Sequence, residues 1–132
     1  MSERPYPVPD RDTAPFWDGA RSGELRIQRC AACGRHVFYP RAVCPHCMAE
    51  SLEWVAASGR GTVYSFTTVH RTSDEFRAEL PFTVGLVELV EGVRMMGRLE
   101  VAEPVVGMPV QVAFKRVSDE LSLPHFKEAE KR

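Results

Sequence analysis

The sequence predicts a mainly β protein: an N-terminal helix, then a small cysteine-rich ribbon, then a five-stranded barrel of the OB-fold type. Four cysteines fall into two Cys-x2-Cys pairs within one short segment. A glycine-containing hinge follows at 57–61, and after it apolar and polar residues alternate in five short runs without a long helical pattern. Five strands in a short chain favour a Greek-key barrel, and the OB-fold is the commonest five-stranded form.

Composition and charge narrow the class of protein. The chain has 132 residues, of which 44% are hydrophobic and 27% charged, as expected for a globular protein of about one domain. Seventeen basic and eighteen acidic residues give a formal net charge of −1, which argues against a dedicated duplex-DNA binder. No apolar run approaches the roughly 18 residues that a membrane-spanning helix needs, and the N-terminus lacks the apolar core of a signal peptide. We therefore expect a cytoplasmic protein.

The N-terminal part predicts a flexible arm followed by one short helix. Residues 1–12 are rich in proline and charge, which is typical of an extended linker. Residues 13–23 predict the helix, with Thr13 as its N-cap. Phe16 and Trp17 lie on one helix face and leave two hypotheses open: they pack on their own domain, or they dock on a partner protein.

The two cysteine pairs predict a structural metal site. Cys30 and Cys33 form the first pair and Cys44 and Cys47 the second, with ten residues between the pairs. Two such turns that close on each other present four thiolates in a tetrahedron, which is the geometry of structural zinc. Since four protein ligands leave no open position for a substrate, we expect one structural Zn²⁺ per chain. Four thiolates also hold iron, so iron remains the alternative.

Residues 24–56 predict a zinc ribbon around this site. The segment is too small to fold by apolar burial alone, so the metal must supply much of its stability. Gly34 after the first pair suits the left-handed turn of a metal-binding knuckle, whereas Met48 follows the second pair and predicts a less favourable knuckle. His36 and His46 are expected to be spacers and not ligands.

Residues 57–126 predict the OB-fold barrel. Its strands are expected at 62–70, 82–90, 93–99, 110–117 and 121–123. In the first of these strands, alternation places Tyr64 and Phe66 on the same face. After the last strand, we expect residues 124–126 to open a terminal tail that continues through 127–132.

Charged residues are unevenly distributed, but no catalytic constellation is visible. Between positions 21 and 47 there are five arginines and one acid. This excess fits a solvated surface or, alternatively, a patch that meets an acidic surface or a phosphate-bearing ligand. The sequence contains no nucleophile elbow and no phosphate-binding glycine loop, and His125 has no visible group to activate it. We therefore expect a protein that is not an enzyme on its own.

Five short segments occur in a specific order. They are Phe16-Trp17-Asp18-Gly19, Cys30-x2-Cys33-Gly34, Tyr39-Pro40-Arg41-x2-Cys44-Pro45-x-Cys47, Gly61-Thr-Val-Tyr-Ser-Phe and Leu80-Pro81-Phe82. This order, over residues 14–126, resembles the DUF35 family, the OB-fold acyl-CoA-associated proteins with an N-terminal rubredoxin-like zinc ribbon.

The resemblance implies an accessory role in acyl-CoA chemistry. DUF35 proteins pair with thiolase-like enzymes, MaoC-like enoyl-CoA hydratases or steroid side-chain aldolases, and help to accommodate the CoA part of the substrate. The resemblance thus implies a non-catalytic subunit of a hetero-oligomer with an acyl-CoA ligand. In this hypothesis Arg41 and Arg71 contact phosphate, while Phe16 and Trp17 dock on the partner.

The alternative function is a single-stranded nucleic-acid-binding module, because OB-folds and zinc ribbons both bind single strands in other proteins. Tyr64 and Phe66 would then stack on bases. The net charge of −1 argues against this hypothesis, and steeply salt-dependent binding of single-stranded DNA would support it. A rubredoxin-like electron carrier is a third hypothesis, which predicts iron and a redox couple.

Overall fold

The computed structural model describes residues 6–129. One α-helix, α1, spans Ala14–Arg21, and a short 3-10 helix spans Asp74–Glu79. The strands are β1 (Arg26–Cys30), β2 (His36–Val37), β3 (Leu52–Ala56), β4 (Arg60–Val69), β5 (Phe82–Leu89), β6 (Arg94–Glu100), β7 (Pro109–Arg116) and β8 (Ser122–Glu128). Within this part of the chain, no helix is long and apolar enough to cross a membrane.

Helix α1 begins after a turn that Asp10 holds together. The Asp10 carboxylate accepts hydrogen bonds from the backbone N–H and the hydroxyl of Thr13, at 2.9 and 3.0 Å. Thr13 occupies the predicted N-cap position, but its hydroxyl bonds backwards along the chain and makes no side-chain cap of the helix. Residues 6–12 of the predicted arm are exposed and lie outside helices and strands, whereas residues 1–5 lie outside the described residues.

Strands β1, β2 and β3 form the antiparallel sheet of the ribbon, in the order β2-β1-β3. Strand β1 is central, with Gln28 opposite Val37 on one side and Trp54 on the other. The end of the sheet that carries the cysteines has a separate core, in which Cys30, Val37 and Cys44 are buried. These three side chains bury little apolar surface, and a bound metal would add most to stability at this end.

Strands β4 to β8 close into a barrel in the order β4-β5-β6-β8-β7. Strands β6 and β8 pair in parallel, and the other neighbours pair antiparallel. The barrel closes where Arg60, Gly61 and Thr62 of β4 pair with β7. A closed five-stranded barrel with this strand order is an OB-fold, so the predicted fold class is confirmed.

The last strand is longer than predicted and is paired with a neighbouring strand on each side. It runs between β6 and β7, and the side chain of Phe126 is 0% exposed. The prediction that residues 124–126 open a terminal tail is therefore wrong. Proline is tolerated here because Pro124 pairs with β7 only, while pairing with β6 begins at His125. Residues 130–132 of the predicted tail lie outside the described residues.

A β-bulge in β4 changes the faces of its aromatic side chains. The register with β5 shifts between Val63 and Ser65, so that Phe66 lies opposite Gly85. One extra residue reverses the alternation of the residues that follow it. The prediction that Tyr64 and Phe66 share a face is therefore wrong.

Helix α1 joins the base of the ribbon to the barrel. The main core cluster contains Phe16 of α1, Leu25 and Ile27 of the ribbon, and Val63 and Phe126 of the barrel. These side chains are all at most 6% exposed. Ribbon and barrel therefore pack through one continuous apolar core.

Candidate functional site

The four cysteines converge at one end of the ribbon. Their Sγ atoms all lie within 4.8 Å of one another. The Cys30 and Cys47 sulfurs are 3.6 Å apart, and the Cys33 and Cys44 sulfurs are 3.8 Å apart. A tetrahedron of zinc–sulfur bonds of about 2.3 Å has sulfur–sulfur edges of about 3.8 Å, so the cluster has the dimensions of a four-thiolate site. The ribbon thus carries four cysteines suited to bind a metal.

Both knuckles use the same left-handed turn. Gly34 has a φ of 80° and Met48 a φ of 67°. Their N–H groups donate to the carbonyls of Cys30 and Cys44 at 2.8 and 2.9 Å, respectively. The second knuckle therefore has the same turn as the first. Methionine is less favourable than glycine there because a side chain strains a left-handed backbone.

The thiols of Cys30 and Cys47 have different pKa values. The N–H of Cys33 is the main cause that lowers the pKa of Cys30 to about 7. The N–H of Ala49 lowers the pKa of Cys47, but desolvation and the neighbouring sulfurs of Cys30 and Cys44 outweigh it and raise this pKa to about 11. Metal ligands must be deprotonated, so a metal ion has to displace the protons that these thiols retain at neutral pH.

A groove of about 720 Å³ lies at the joint between ribbon, helix α1 and barrel. One wall is aromatic and includes Trp17, Phe38 and Tyr39. Residues of β6 and of the start of β8 also line the groove. A groove that combines aromatic and polar lining groups suits an elongated amphipathic ligand.

Arg41 lies on this groove, but Arg71 does not line it. The buried amide of Gln28 fixes the Arg41 backbone: its nitrogen donates to the Arg41 carbonyl at 2.9 Å, and its oxygen accepts from the Arg41 N–H at 2.8 Å. The Arg41 side chain is exposed and pairs with no acid among residues 6–129. Arg71 is exposed in the segment after β4. The structure therefore does not bring the two predicted phosphate ligands together on one groove.

Phe16 and Trp17 differ in their access to a partner. Phe16 is 6% exposed and belongs to the main core. Trp17 is partly buried and packs edge-on against it, with ring centroids 4.9 Å apart, and both side chains line the groove. Of the two hypotheses for this face, packing on the same domain holds for Phe16, which is too deeply buried to dock on another protein.

Sequence analysis missed two arginines on the outer face of β6. The Arg94 guanidinium lies 3.7 Å from the Tyr64 ring centroid, and Arg98 lies 4.0 Å from that of Phe82. Arg98 also pairs with Glu79 at 2.5 Å. The signal that could have found them is the two-residue period of β6, which places both arginines on one face of the strand.

Sequence analysis also gave no role to His125. It is 4% exposed, and its Nδ1 lies 2.8 Å from Oε1 of Glu100. The sequence showed no group that could activate this histidine, and the structure places Glu100 beside it. The two residues are 25 positions apart in sequence and meet only because β6 and β8 pair in parallel. No local pattern could have predicted this contact.

A zinc ribbon packed on an OB-fold barrel, with a groove at the joint, defines a class of two-module proteins. The family model for the ChsH2 rubredoxin-like zinc ribbon domain matches residues 17–53. The model for the ChsH2 C-terminal OB-fold domain matches residues 54–115.

Curated and solved relatives identify the family. The DUF35 domain-containing scaffold protein of Methanocaldococcus jannaschii is 32% identical over 96 residues, which cover 70% of this chain and 68% of that protein. The solved structure described as Ltp2-ChsH2(DUF35) aldolase matches with a TM-score of 0.83 at 37% identity, over 93% of this chain and 98% of that chain. This chain therefore belongs to the DUF35 family.

Two further relatives are named as enzyme subunits. The probable enoyl-CoA hydratase alpha subunit of Thermomonospora curvata is 39% identical over 129 residues, or 96% of this chain. This chain spans 40% of that relative's length. The benzoylsuccinyl-CoA thiolase subunit BbsA of Thauera aromatica is 37% identical over 96 residues, which cover 70% of this chain and 61% of that protein.

Proposed function

We propose that this chain is a non-catalytic accessory subunit that binds a thiolase-, hydratase- or aldolase-type enzyme and helps to accommodate the CoA part of its acyl-CoA substrate. The observation that carries this proposal is the similarity to relatives that are named as a hydratase subunit, a thiolase subunit and part of an aldolase. The similarity extends over both modules, so the chain would act as one unit in a hetero-oligomer.

The groove supports the CoA part of the proposal. CoA combines an uncharged arm with phosphate groups, and the groove combines aromatic side chains with Arg41, which forms no ion pair within residues 6–129. An arginine fork matches phosphate geometry, and this one has a fixed backbone. We keep Arg71 as a second candidate that would reach a phosphate outside the groove.

Partner contact is assigned to the rim of the same groove. Trp17 remains a candidate for this contact, and Tyr39 and Met96 line the groove with exposures of 68% each. Phe16 is not proposed for this contact because its side chain is only 6% exposed. An enzyme subunit seated on this rim would close the groove into a channel for the substrate.

We further propose that Cys30, Cys33, Cys44 and Cys47 bind one structural Zn²⁺ in a ribbon of residues 24–56. When bound, the ion would neutralise the thiolates and hold the two knuckles together. Four reduced cysteines fit the cytoplasm that the sequence predicts. Metal analysis tests the assignment: a colourless protein with one zinc per chain supports it, and a coloured iron protein contradicts it.

The first test is capture of the tagged full-length chain from its native host, with native mass spectrometry of the eluate. A stoichiometric thiolase, hydratase or aldolase subunit is the expected result. A lone zinc-loaded chain, or one that carries nucleic acid removable by high salt, would contradict the proposal. Nucleic acid is disfavoured because Arg94 already covers one face of the Tyr64 ring.

The second test measures CoA-ester affinity in the assembled complex. We expect Arg41→Ala to weaken binding about tenfold, since a charge-assisted hydrogen bond to phosphate is lost. Arg60→Ala is the matched control, because Arg60 is another exposed arginine that does not line this groove. If Arg41→Ala and Arg71→Ala both bind as tightly as the Arg60→Ala control, neither arginine contacts the phosphate groups.

A further inference from the structure

His125 is a buried polar side chain on the wall of the groove. It is 4% exposed and lines the groove beside Gly97 and Pro124. Its Nδ1 is bonded to Glu100, but its Nε2 has no hydrogen-bond partner among the described residues. A buried histidine with one nitrogen engaged and the other left to a cavity has the arrangement of a ligand-binding group.

Glu100 fixes which ring nitrogen carries the hydrogen. An ionised carboxylate only accepts hydrogen bonds, so the contact of 2.8 Å requires Nδ1 to be the donor. In the neutral ring, Nε2 is then an acceptor. In this neutral form, Nε2 can accept a hydrogen bond from an amide N–H or a hydroxyl, but it repels a phosphate oxygen.

The cations nearest to His125 on β6 do not change this preference. Arg98, directly opposite His125 in the parallel register, forms an ion pair with Glu79. Arg94 lies 3.6 Å from Glu88. The wall around His125 therefore has little net charge, whereas Arg41 elsewhere on the groove has no acidic partner in the described chain.

We propose that Nε2 of His125 accepts a hydrogen bond from the uncharged, amide-bearing pantetheine arm of the bound CoA ester, and that Glu100 is the positioning residue for this ring. The inference rests on the proposed function, which places CoA in the groove. It also gives the orientation of CoA in the groove: the phosphate groups lie at Arg41, and the amide-bearing arm lies at His125.

The test uses the full-length chain, alone and in the complex captured with it, and follows the imidazole ¹⁵N resonances of its four histidines. The probes are CoA, pantetheine, and adenosine 3′,5′-bisphosphate. We expect CoA and pantetheine to shift Nε2 of His125, while the bisphosphate leaves it unchanged. The other three histidines, which do not line the groove, are the internal control.

Variants separate a binding role from a structural one. We expect His125→Phe to weaken CoA binding about tenfold and His125→Gln, which retains an acceptor, to restore most of the affinity. Glu100→Ala should transfer the hydrogen of the neutral ring towards Nε2, visible in the ¹⁵N spectrum without any ligand. An unchanged tautomer in Glu100→Ala overturns the positioning role.

The outcomes distinguish this inference from the proposed function. If CoA binds but pantetheine leaves Nε2 unshifted, or if neither His125 variant alters the affinity, the inference is overturned and the proposed function stands. If neither CoA nor pantetheine binds the chain or its complex, the proposed function and the inference both fail. If His125→Phe does not fold, the Nε2 shift of the unmodified chain with CoA and pantetheine decides the question.

Discussion

The two ends of the ribbon are stabilised in different ways, although one strand runs through both. At the metal end, β1 finishes in Cys30, which belongs to a small separate core. At the base, Ile27 of the same strand is buried in the cluster that contains Phe16 and the barrel side chains. Two kinds of stabilisation follow: a metal held by the four cysteines would stabilise the knuckles, whereas apolar packing holds ribbon and barrel together at the groove.

Removal of one metal ligand should have the largest effect, and a local one. We expect Cys44→Ala to lose stoichiometric metal and to unfold the metal end, because structural zinc contributes on the order of 10 kcal/mol or more. Hydrogen exchange should lose protection in β2 and in both knuckles, but not in β5. Chelation of the unmodified protein should give the same pattern. Loss of protection in β5 as well would show that the two ends unfold together.

Truncation of the buried side chain at the joint should lower the stability of the whole protein but leave the metal site intact. We expect Phe16→Ala to destabilise the protein by about 3–5 kcal/mol, since a buried aromatic ring leaves a cavity in the core. Urea unfolding measures this change, and the metal content should stay the same. Trp17→Ala is the matched control and should cost less, because Trp17 is only partly buried. Equal effects of the two variants would contradict the packing described for this helix.

A smaller effect is expected where the ribbon supports the groove. Gln28→Leu removes both hydrogen bonds between the Gln28 amide and the Arg41 backbone. The N–H and C=O groups of Arg41 then lack this partner, which should lower the free energy of unfolding by about 1–3 kcal/mol. Because Arg41 then loses its fixed position, CoA-ester affinity should fall as well. A fall in stability with unchanged affinity would show that the position of Arg41 does not matter for the ligand.

The smallest effect tests the strain in the second knuckle. Met48→Gly relieves a left-handed residue that costs about 1–2 kcal/mol, but glycine also makes the unfolded chain more flexible, so the net gain should be about 0.5 kcal/mol. Gly34→Ala introduces the same strain in the first knuckle and should destabilise it by about 1 kcal/mol. Thermal unfolding of the zinc-loaded protein checks both signs. A loss of stability in Met48→Gly would contradict the strain argument.

Local sequence patterns predicted the architecture because the determinants of the fold class are local. Two Cys-x2-Cys pairs specify a metal site by spacing alone, and alternation after the hinge specifies strands. The same reasoning failed where long-range pairing overrides local rules. Residues 124–126 were expected to open a terminal tail, yet they belong to β8, where Pro124 pairs with β7 only. The bulge at Tyr64 shows no sequence signal that we could have used.

The candidate site was predictable in part for the same reason. The cysteines could be found by spacing, and Arg41 by its place in a motif that ends in the second cysteine pair. Arg94 and Arg98 could have been found from the period of β6, but their ion pairs with Glu88 and Glu79 depend on the folded arrangement of β5, β6 and the 3-10 helix. The His125–Glu100 contact needs parallel strand pairing across 25 positions, which local patterns do not encode.

The position of β8 between β6 and β7 also constrains the order in which the barrel can form during translation. The strand that separates β6 from β7 ends at Glu128, so the ribosome synthesises it after all other elements of the barrel. Until it emerges, the facing edges of β6 and β7 lack their shared neighbour and are open to pairing with other chains. The ribbon, by contrast, is complete at Ala56 and can take up its metal while the barrel is still being translated. Metal loading can thus precede completion of the groove.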